Sequence, residues 1–246
     1  MSARRRLDAD LVARGLVASR AEAQQLIDAN RVLVNGAVAD KPARMVAAAD
    51  QLLISGPPAR FVGRGGLKLD HALDVFAIDV SGMRALDAGA STGGFTDCLL
   101  QRGAAHVVAV DVGHGQLHER LVADRRVTNI ERTNIRSIGA EAIGGRVDLV
   151  VGDLSFISLR LVIRPLVGVC QPGAPMVMLV KPQFEAGRTE VSRGRGVISD
   201  PGVHERVRDE VAQALVDARC SVAGWTDSPI AGADGNREFL VHAVTP

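Results

Sequence analysis

The chain has 246 residues, 47% of them apolar and 23% charged, with a mean hydropathy of +0.13. That is enough for one large α/β domain and a small module. It does not suit a membrane protein, because the longest uncharged run, Pro165 to Val180, carries three prolines and falls short of the ~20 apolar residues a spanning helix needs. The net charge of +1 hides an asymmetry: residues 1–68 carry 11 Lys/Arg against 6 Asp/Glu, and residues 69–246 carry 18 against 22, so the basic head is expected to meet a polyanion.

At the start, Arg4-Arg5-Arg6 is followed by Asp8 and Asp10 rather than by an apolar run. No signal peptide is read there, and a cytoplasmic protein is expected. Leu7, Leu11 and Val12 lie at helical spacing, with Gly15 placed to end that helix. Ser19 and Glu22 form a capping box for a second helix faced by Leu26 and Ile27. Arg31 to Gly36 alternates into Asn35-Gly36, a strong hairpin turn. Val38 begins the return, and Leu52-Leu53-Ile54 is a further short strand. Residues 1–60 therefore read as a small α+β module. Gly56-Pro57-Pro58 and the glycines at 63, 65 and 66 suggest a junction, with 61–66 as linker and 67–246 as the large domain.

From residue 67 helices and strands alternate. Helices are expected over 71–76, 95–101 and 203–218, and strands over 84–87, 107–111, 147–153, 176–180, 222–225 and 238–244. Near-continuous apolar strands alternating with helices predict a Rossmann-like, doubly wound, mostly parallel sheet. Cys98, Cys170 and Cys220 are far apart and form no CxxC, so neither a disulfide framework nor a zinc site is read, and buried free thiols are expected.

The sharpest motif is Asp87-Ala88-Gly89-Ala90-Ser91-Thr92-Gly93-Gly94-Phe95-Thr96, a nucleotide-binding turn between a strand and a helix. Asp111 ends the next strand, 22 residues after Gly89, where a carboxylate grips ribose hydroxyls. A dinucleotide needs glycine where Ser91 stands, and Asp87 would repel its phosphates. S-adenosylmethionine has an ammonium and a sulfonium and no phosphate, so Asp87 suits it. Cofactor contacts are therefore expected from Asp87, Gly89, Ala90, Ser91, Gly93, Gly94, Phe95, Asp111 and Asp153. No metal is expected.

Asp153 ends the strand that begins at Val147, and Lys181 follows the apolar run Met176 to Val180 and opens Lys181-Pro182-Gln183-Phe184-Glu185. Both fall on the rim of the sheet that carries the Gly-rich turn. Pro182 is expected to prevent a regular helix from starting there. Glu238 lies at the start of the last strand, and Lys68 just before the first helix of the large domain.

Over nearly its whole length the chain resembles the TlyA family, the haemolysin A-like rRNA 2′-O-methyltransferases. The stretches that carry the resemblance are Arg6-Leu7-Asp8 through Val34-Asn35-Gly36, Gly63 to Leu69, Asp87 to Thr96, Asp153-Leu154-Ser155-Phe156 and Lys181 to Glu185. The resemblance implies an N-terminal RNA-binding αL module like that of ribosomal protein S-four and an FtsJ-like methyltransferase domain. It also implies a Lys-Asp-Lys-Glu tetrad, which falls on Lys68, Asp153, Lys181 and Glu238, and a cytidine of ribosomal RNA as target. Lys181 would take or orient the 2′-hydroxyl proton, with the carboxylates holding the two lysines. Contacts to RNA phosphates are expected from Arg4, Arg5, Arg6, Arg20, Arg31, Lys41, Arg60 and Arg64. Ribosomal RNA or subunits are the expected partner, with no membrane and a monomer favoured. Two other classes are an RNA-binding assembly factor with a vestigial cofactor pocket, against which the intact tetrad counts, and a haemolysin, against which the lack of a spanning or strongly amphipathic segment counts.

Overall fold

The computed structural model describes residues 4–17, 20–56, 59–194, 196–232 and 235–246. The chain divides into two compact units, Met1–Arg60 and Phe61–Pro246. Ser19 of the expected capping box and Pro57-Pro58 of the expected junction lie outside the described residues.

In the first unit, β1 (Arg5–Arg6) leads into α1 (Leu7–Ala13), followed by α2 (Arg20–Asp28), β2 (Val32–Val34), β3 (Ala37–Val38), β4 (Met45–Val46) and β5 (Leu52–Ile54). Gly15 follows α1 with φ +68 and donates its N–H to the Val12 carbonyl, as a helix-ending glycine does. Asn35 and Gly36 both have positive φ, which the two-residue turn between β2 and β3 requires. Strand order is β3-β2-β5, and β1 pairs with β4. Leu7, Leu11, Ile27, Val32, Val34 and Leu52 close one small core.

The second unit begins at Phe61. Phe61 is 4% exposed and belongs to the core, and a Cβ on Gly66 would stand 2.4 Å from its ring. Residues 61–66, expected as a spacer, thus pack with the large unit, because Phe61 needs the cover that Gly66 leaves room for. Its elements are α3 (Gly65–Val75), β6 (Arg84–Ala88), α4 (Gly94–Gln101), β7 (His106–Val110), α5 (Glu119–Val122), β8 (Val127–Ile130), β9 (Leu149–Gly152), α6 (Ile163–Gly168), β10 (Pro175–Val180), α7 (Pro182–Glu185), α8 (Arg188–Arg193), α9 (Pro201–Asp217), β11 (Ser221–Asp227) and β12 (Phe239–Val244).

Lys68 lies within the first turns of α3, not ahead of the helix. Pro182 opens α7 instead of blocking it: the first helical position needs no N–H, and proline's fixed φ suits it. The strand β8 has no sequence signal of its own. None of its residues is fully buried, so it lacks the apolar signature of an interior strand.

The seven strands run β11-β12-β10-β9-β6-β7-β8. The five from β8 to β10 are parallel, and β12 runs antiparallel to both neighbours. Alternate residues feed two core layers. Leu86, Val108, Met176 and Met178 face α6 and α9 through Leu166, Val207, Val211 and Leu215. Ala85, Val107, Val177 and Leu179 face α3 and α4 through Leu69, Leu73, Cys98 and Leu99. Fully burying each such Leu or Val contributes roughly 1.5–3 kcal/mol. The three cysteines are buried and form no disulfide with one another, and burial pushes the Cys170 thiol up to about 12.

The register sets the site. Ala88 pairs with Val110 on one side and Gly152 on the other. The next residue on each strand, Gly89, Asp111 and Asp153, therefore stands at one level on the carboxyl edge. Here successive strands leave β6 in opposite directions, the switch point where such sheets hold ligands. Val180 pairs with Phe239, so the antiparallel register carries Lys181 level with Glu238.

Candidate active site

Asp87, the fourth residue of β6, is fully buried. Thr96 Oγ1 donates to its Oδ2 at 2.6 Å, while Oδ1 has no partner. Burial, together with the charges of Asp153 and Asp111, raises its carboxyl to about 7, against the opposing hydrogen bond from Thr96. The turn that follows runs close to its neighbours. Gly89 has φ +82, and a Cβ there would stand 2.9 Å from Leu154 and 3.0 Å from the Asp153 carbonyl. Gly93 has φ +95, and a Cβ would collide with Leu121 at 2.2 Å. Ser91 takes φ +47 without the excuse of being glycine. Asp111 holds it there: one carboxylate oxygen accepts from Ser91 N–H at 2.8 Å and the other from Gly113 N–H at 2.7 Å. Ala90, Gly94 and Phe95 complete the turn. Phe95 is 2% exposed, so its ring packs in the core and only its backbone borders the turn.

Two lysine–carboxylate pairs stand beside this turn. Lys181 Nζ lies 2.5 Å from Asp153 Oδ1 and donates to Ser155 Oγ at 2.9 Å. Lys68 Nζ lies 2.5 Å from Glu238 Oε2, and both side chains are buried. The pairs belong to one cluster. Lys181 is level with Glu238 across the β10–β12 ladder, and a Cβ at Gly65, at the head of the helix carrying Lys68, would be 3.3 Å from Asp153 Oδ2. All four expected tetrad residues are therefore brought together. A buried lysine is tolerated only with such a partner.

Three neighbours escape a reading of the sequence. Thr96 lies in the motif without an assigned role, Ser155 follows Asp153 with no signal of its own, and Phe156 stands 91% exposed at φ +63 with its ring centroid 5.1 Å from that of Phe184. Neither the exposure of a large aromatic nor its left-handed backbone is written in a local pattern.

The residues expected to touch RNA phosphates are dispersed. Arg4, Arg5 and Lys41 are exposed on the first unit. Arg6 and Arg20 are also exposed, but both donate to the buried carboxylate of Asp8, which they hold below the usual carboxylate range. Arg31 is half-buried, and its Nε donates to the Ser55 carbonyl at 2.8 Å. Arg60 is exposed at the end of the unit. Arg64, in the second unit, donates to the Ala231 carbonyl at 2.8 Å. The Arg6 and Arg20 guanidinium groups both reach solvent while sharing one buried carboxylate, so either can turn to a phosphate while the other keeps Asp8 paired. No helix among the described residues is long and apolar enough to cross a membrane.

Comparison with known proteins matches these two units separately. The FtsJ-like methyltransferase model covers residues 61–245, and the S4 domain model covers residues 5–52. The chain is 50% identical over 246 residues to the 16S/23S rRNA (cytidine-2′-O)-methyltransferase TlyA of Mycobacterium tuberculosis, covering 100% of this chain and 91% of that protein. It is 38% identical over 240 residues to Hemolysin A of Brachyspira hyodysenteriae, covering 97% and 99%. Among solved structures, a hemolysin-named protein of Streptococcus thermophilus aligns with a TM-score of 0.80 at 40% identity, covering 100% of this chain and 90% of that one. The chain belongs to the FtsJ-like methyltransferase family and carries an S4 domain ahead of the methyltransferase fold.

Proposed function

We propose that the protein transfers a methyl group from S-adenosylmethionine to the 2′-hydroxyl of a ribosomal RNA nucleotide, a cytidine by analogy with the relative from Mycobacterium tuberculosis. The observation that carries this reading is the pairing of Lys181 with Asp153 on the same edge of the sheet as the Gly-rich turn.

The residues present suit this cofactor. Asp87 Oδ1 is buried without a partner, as expected of an oxygen reserved for a cation such as the ammonium of an amino-acid group. The lone pairs that Asp111 does not give to Ser91 and Gly113 suit ribose hydroxyls. Gly89 keeps the backbone open between them. S-adenosylmethionine bound there supplies an electrophilic methyl on its sulfonium.

The chain's own residues then act on the acceptor. In its neutral amine form Lys181 Nζ would orient the 2′-hydroxyl and take up its proton as the oxygen bonds to the methyl carbon and the methyl–sulfur bond breaks, with S-adenosylhomocysteine as leaving group. Asp153 and Ser155 fix that nitrogen, and Glu238 fixes Lys68 beside it. Because every group is already held by a partner, much of the acceleration comes from placement. Phe156, exposed beside Phe184, offers its face to a nucleobase, as aromatics do with unstacked RNA bases. The intact, paired tetrad favours an active enzyme over an assembly factor with a vestigial pocket.

The first unit supplies RNA affinity. A chain starting at residue 61 retains the whole methyltransferase fold. It is expected to bind S-adenosylhomocysteine as the full chain does and to lose affinity for ribosomal subunits. What binding remains should depend less steeply on salt, by roughly 0.7–0.9 of a log unit for each phosphate no longer engaged. With methyl-labelled S-adenosylmethionine, the full chain should place label in the RNA of a subunit and the shortened chain should not. Equal subunit binding by the two would contradict the role given to the first unit, and label in protein alone would contradict the substrate.

A further inference from the structure

The segment Lys181 to Glu185 ends in a carboxylate that neither the cofactor site nor the tetrad uses. Glu185 closes α7, and its side chain is 2% exposed. Burying a carboxylate is costly unless its oxygens are satisfied. Both are. Oε1 accepts from Leu159 N–H at 2.7 Å, and Oε2 accepts from the Ser158 hydroxyl. Arg160 adds its charge, with Nε 3.5 Å from Oε2 and Nη2 donating to the Glu185 carbonyl at 3.0 Å. Burial still pushes the Glu185 carboxyl above its ordinary range, so these partners do not fully offset its desolvation.

The partners of Glu185 are where the loop after β9 ends. Ser158 caps the short helical turn Leu159–Leu161, and Leu159 N–H is one of the donors that such a turn leaves without an internal acceptor. The loop from Asp153 to Ser158 is therefore fastened to the β10–α7 segment at both ends. At one end Asp153 and Ser155 meet Lys181, and at the other Ser158 and Leu159 meet Glu185. Between the two fastenings lies Phe156 at φ +63, supported by Phe184. Such a backbone state is strained for a residue with a side chain and persists only when its surroundings impose it.

We propose that Glu185 is a positioning residue: by locking Ser158 and Leu159 to α7 it fixes the loop that presents Asp153, Ser155 and Phe156 to Lys181. The proposal rests on the reading of Lys181 as the residue that acts on the ribose hydroxyl. Arg160 carries the latch further, since its Nη1 donates to Glu210 of α9 at 2.7 Å. The end of the loop is thus tied by Arg160 both to α7 and to the long helix α9.

Two readouts on the full-length protein test this, using Glu185→Ala and Glu185→Gln. Glutamine keeps the size of the side chain, with an oxygen to accept from Leu159 N–H and an NH2 to donate to Ser158. Amide hydrogen exchange of residues 154–159 should quicken at least about tenfold in Glu185→Ala, with β6 and α4 unchanged, and stay near wild type in Glu185→Gln. In single-turnover methyl transfer to a ribosomal subunit, Glu185→Ala should lose about 100-fold in rate while affinity for S-adenosylhomocysteine stays within about twofold, and Glu185→Gln should recover most of the rate. A folded Glu185→Ala protein whose 154–159 amides exchange as in wild type overturns the proposal, as does a Glu185→Gln protein as impaired as Glu185→Ala. If the exchange pattern is as expected but wild-type enzyme leaves ribosomal RNA unmethylated, the latch stands and the substrate reading falls.

Discussion

Replacing Lys181 by alanine is expected to lower the single-turnover rate of methyl transfer by at least about 1,000-fold, a barrier increase of ~4 kcal/mol, while leaving cofactor and RNA affinity within a few-fold of wild type. The reason is positional. Lys181 touches Asp153 and Ser155, and neither Asp87 nor Asp111 depends on it for a hydrogen bond. Its effect is therefore confined to the transition state, where the hydroxyl proton moves. Folding should survive, because the Asp153 side chain left behind is 23% exposed and can be hydrated. Arginine should not rescue activity, since a guanidinium holds its charge but cannot take up a proton. A Lys181→Ala enzyme within about tenfold of wild type, only ~1.4 kcal/mol, would remove Lys181 from the chemistry.

The second large effect is expected at Asp87. Asparagine there can still accept from Thr96 Oγ1, so the turn should stay folded, but the negative charge is gone. Loss of a charged partner for a bound ammonium is expected to weaken S-adenosylhomocysteine binding by ~2–3 kcal/mol, roughly 30- to 150-fold in Kd. The wild type should also show a pH dependence that Asp87→Asn lacks. With the carboxyl raised to about 7 by burial, binding a cation requires the proton to leave, so affinity should rise as pH increases through 7 and binding below it should release a proton.

Stability of the free protein moves the other way. The folded value lies above the ordinary 3.8, so the folded state holds a proton that the unfolded chain has lost. That contribution is present in full below pH ~3.8 and is lost as pH rises through about 7. Calorimetric titrations from pH 6 to 8, with thermal unfolding over pH 4 to 8, should show both trends in wild type, whereas Asp87→Asn should lose the first and show a shallower second, to which the raised Glu185 carboxyl still contributes. A wild-type affinity that does not change with pH would contradict a charged Asp87 as the cation's partner.

Much of the site is legible in the residues because it depends on local order. A strand, a glycine turn and a helix announce Asp87 to Thr96, and an apolar run that stops at Lys181 marks a strand end. The tetrad's assembly is legible only through family resemblance. Lys68 and Glu238 are 170 residues apart, and what joins them is the place of β12 beside β10, which no local pattern encodes. The same holds for Glu185, whose partners lie 26 and 27 residues back in another loop. The elements that differ from expectation have simple causes. Pro182 reads as a helix breaker, yet its position makes it a helix opener. The glycines at 63, 65 and 66 read as freedom, yet they make room for close packing by Thr92, Asp153 and Phe61.

The assigned chemistry stands most directly on where the methyl group goes. Ribosomal subunits incubated with the full chain and methyl-labelled S-adenosylmethionine can be stripped to RNA and hydrolysed in alkali, which cannot cleave next to a blocked 2′-hydroxyl. Label is expected in an alkali-resistant dinucleotide whose 5′ member is 2′-O-methylcytidine, formed by wild type and absent with Lys181→Ala. Label recovered in ordinary mononucleotides, meaning a methylated base, would contradict 2′-O transfer.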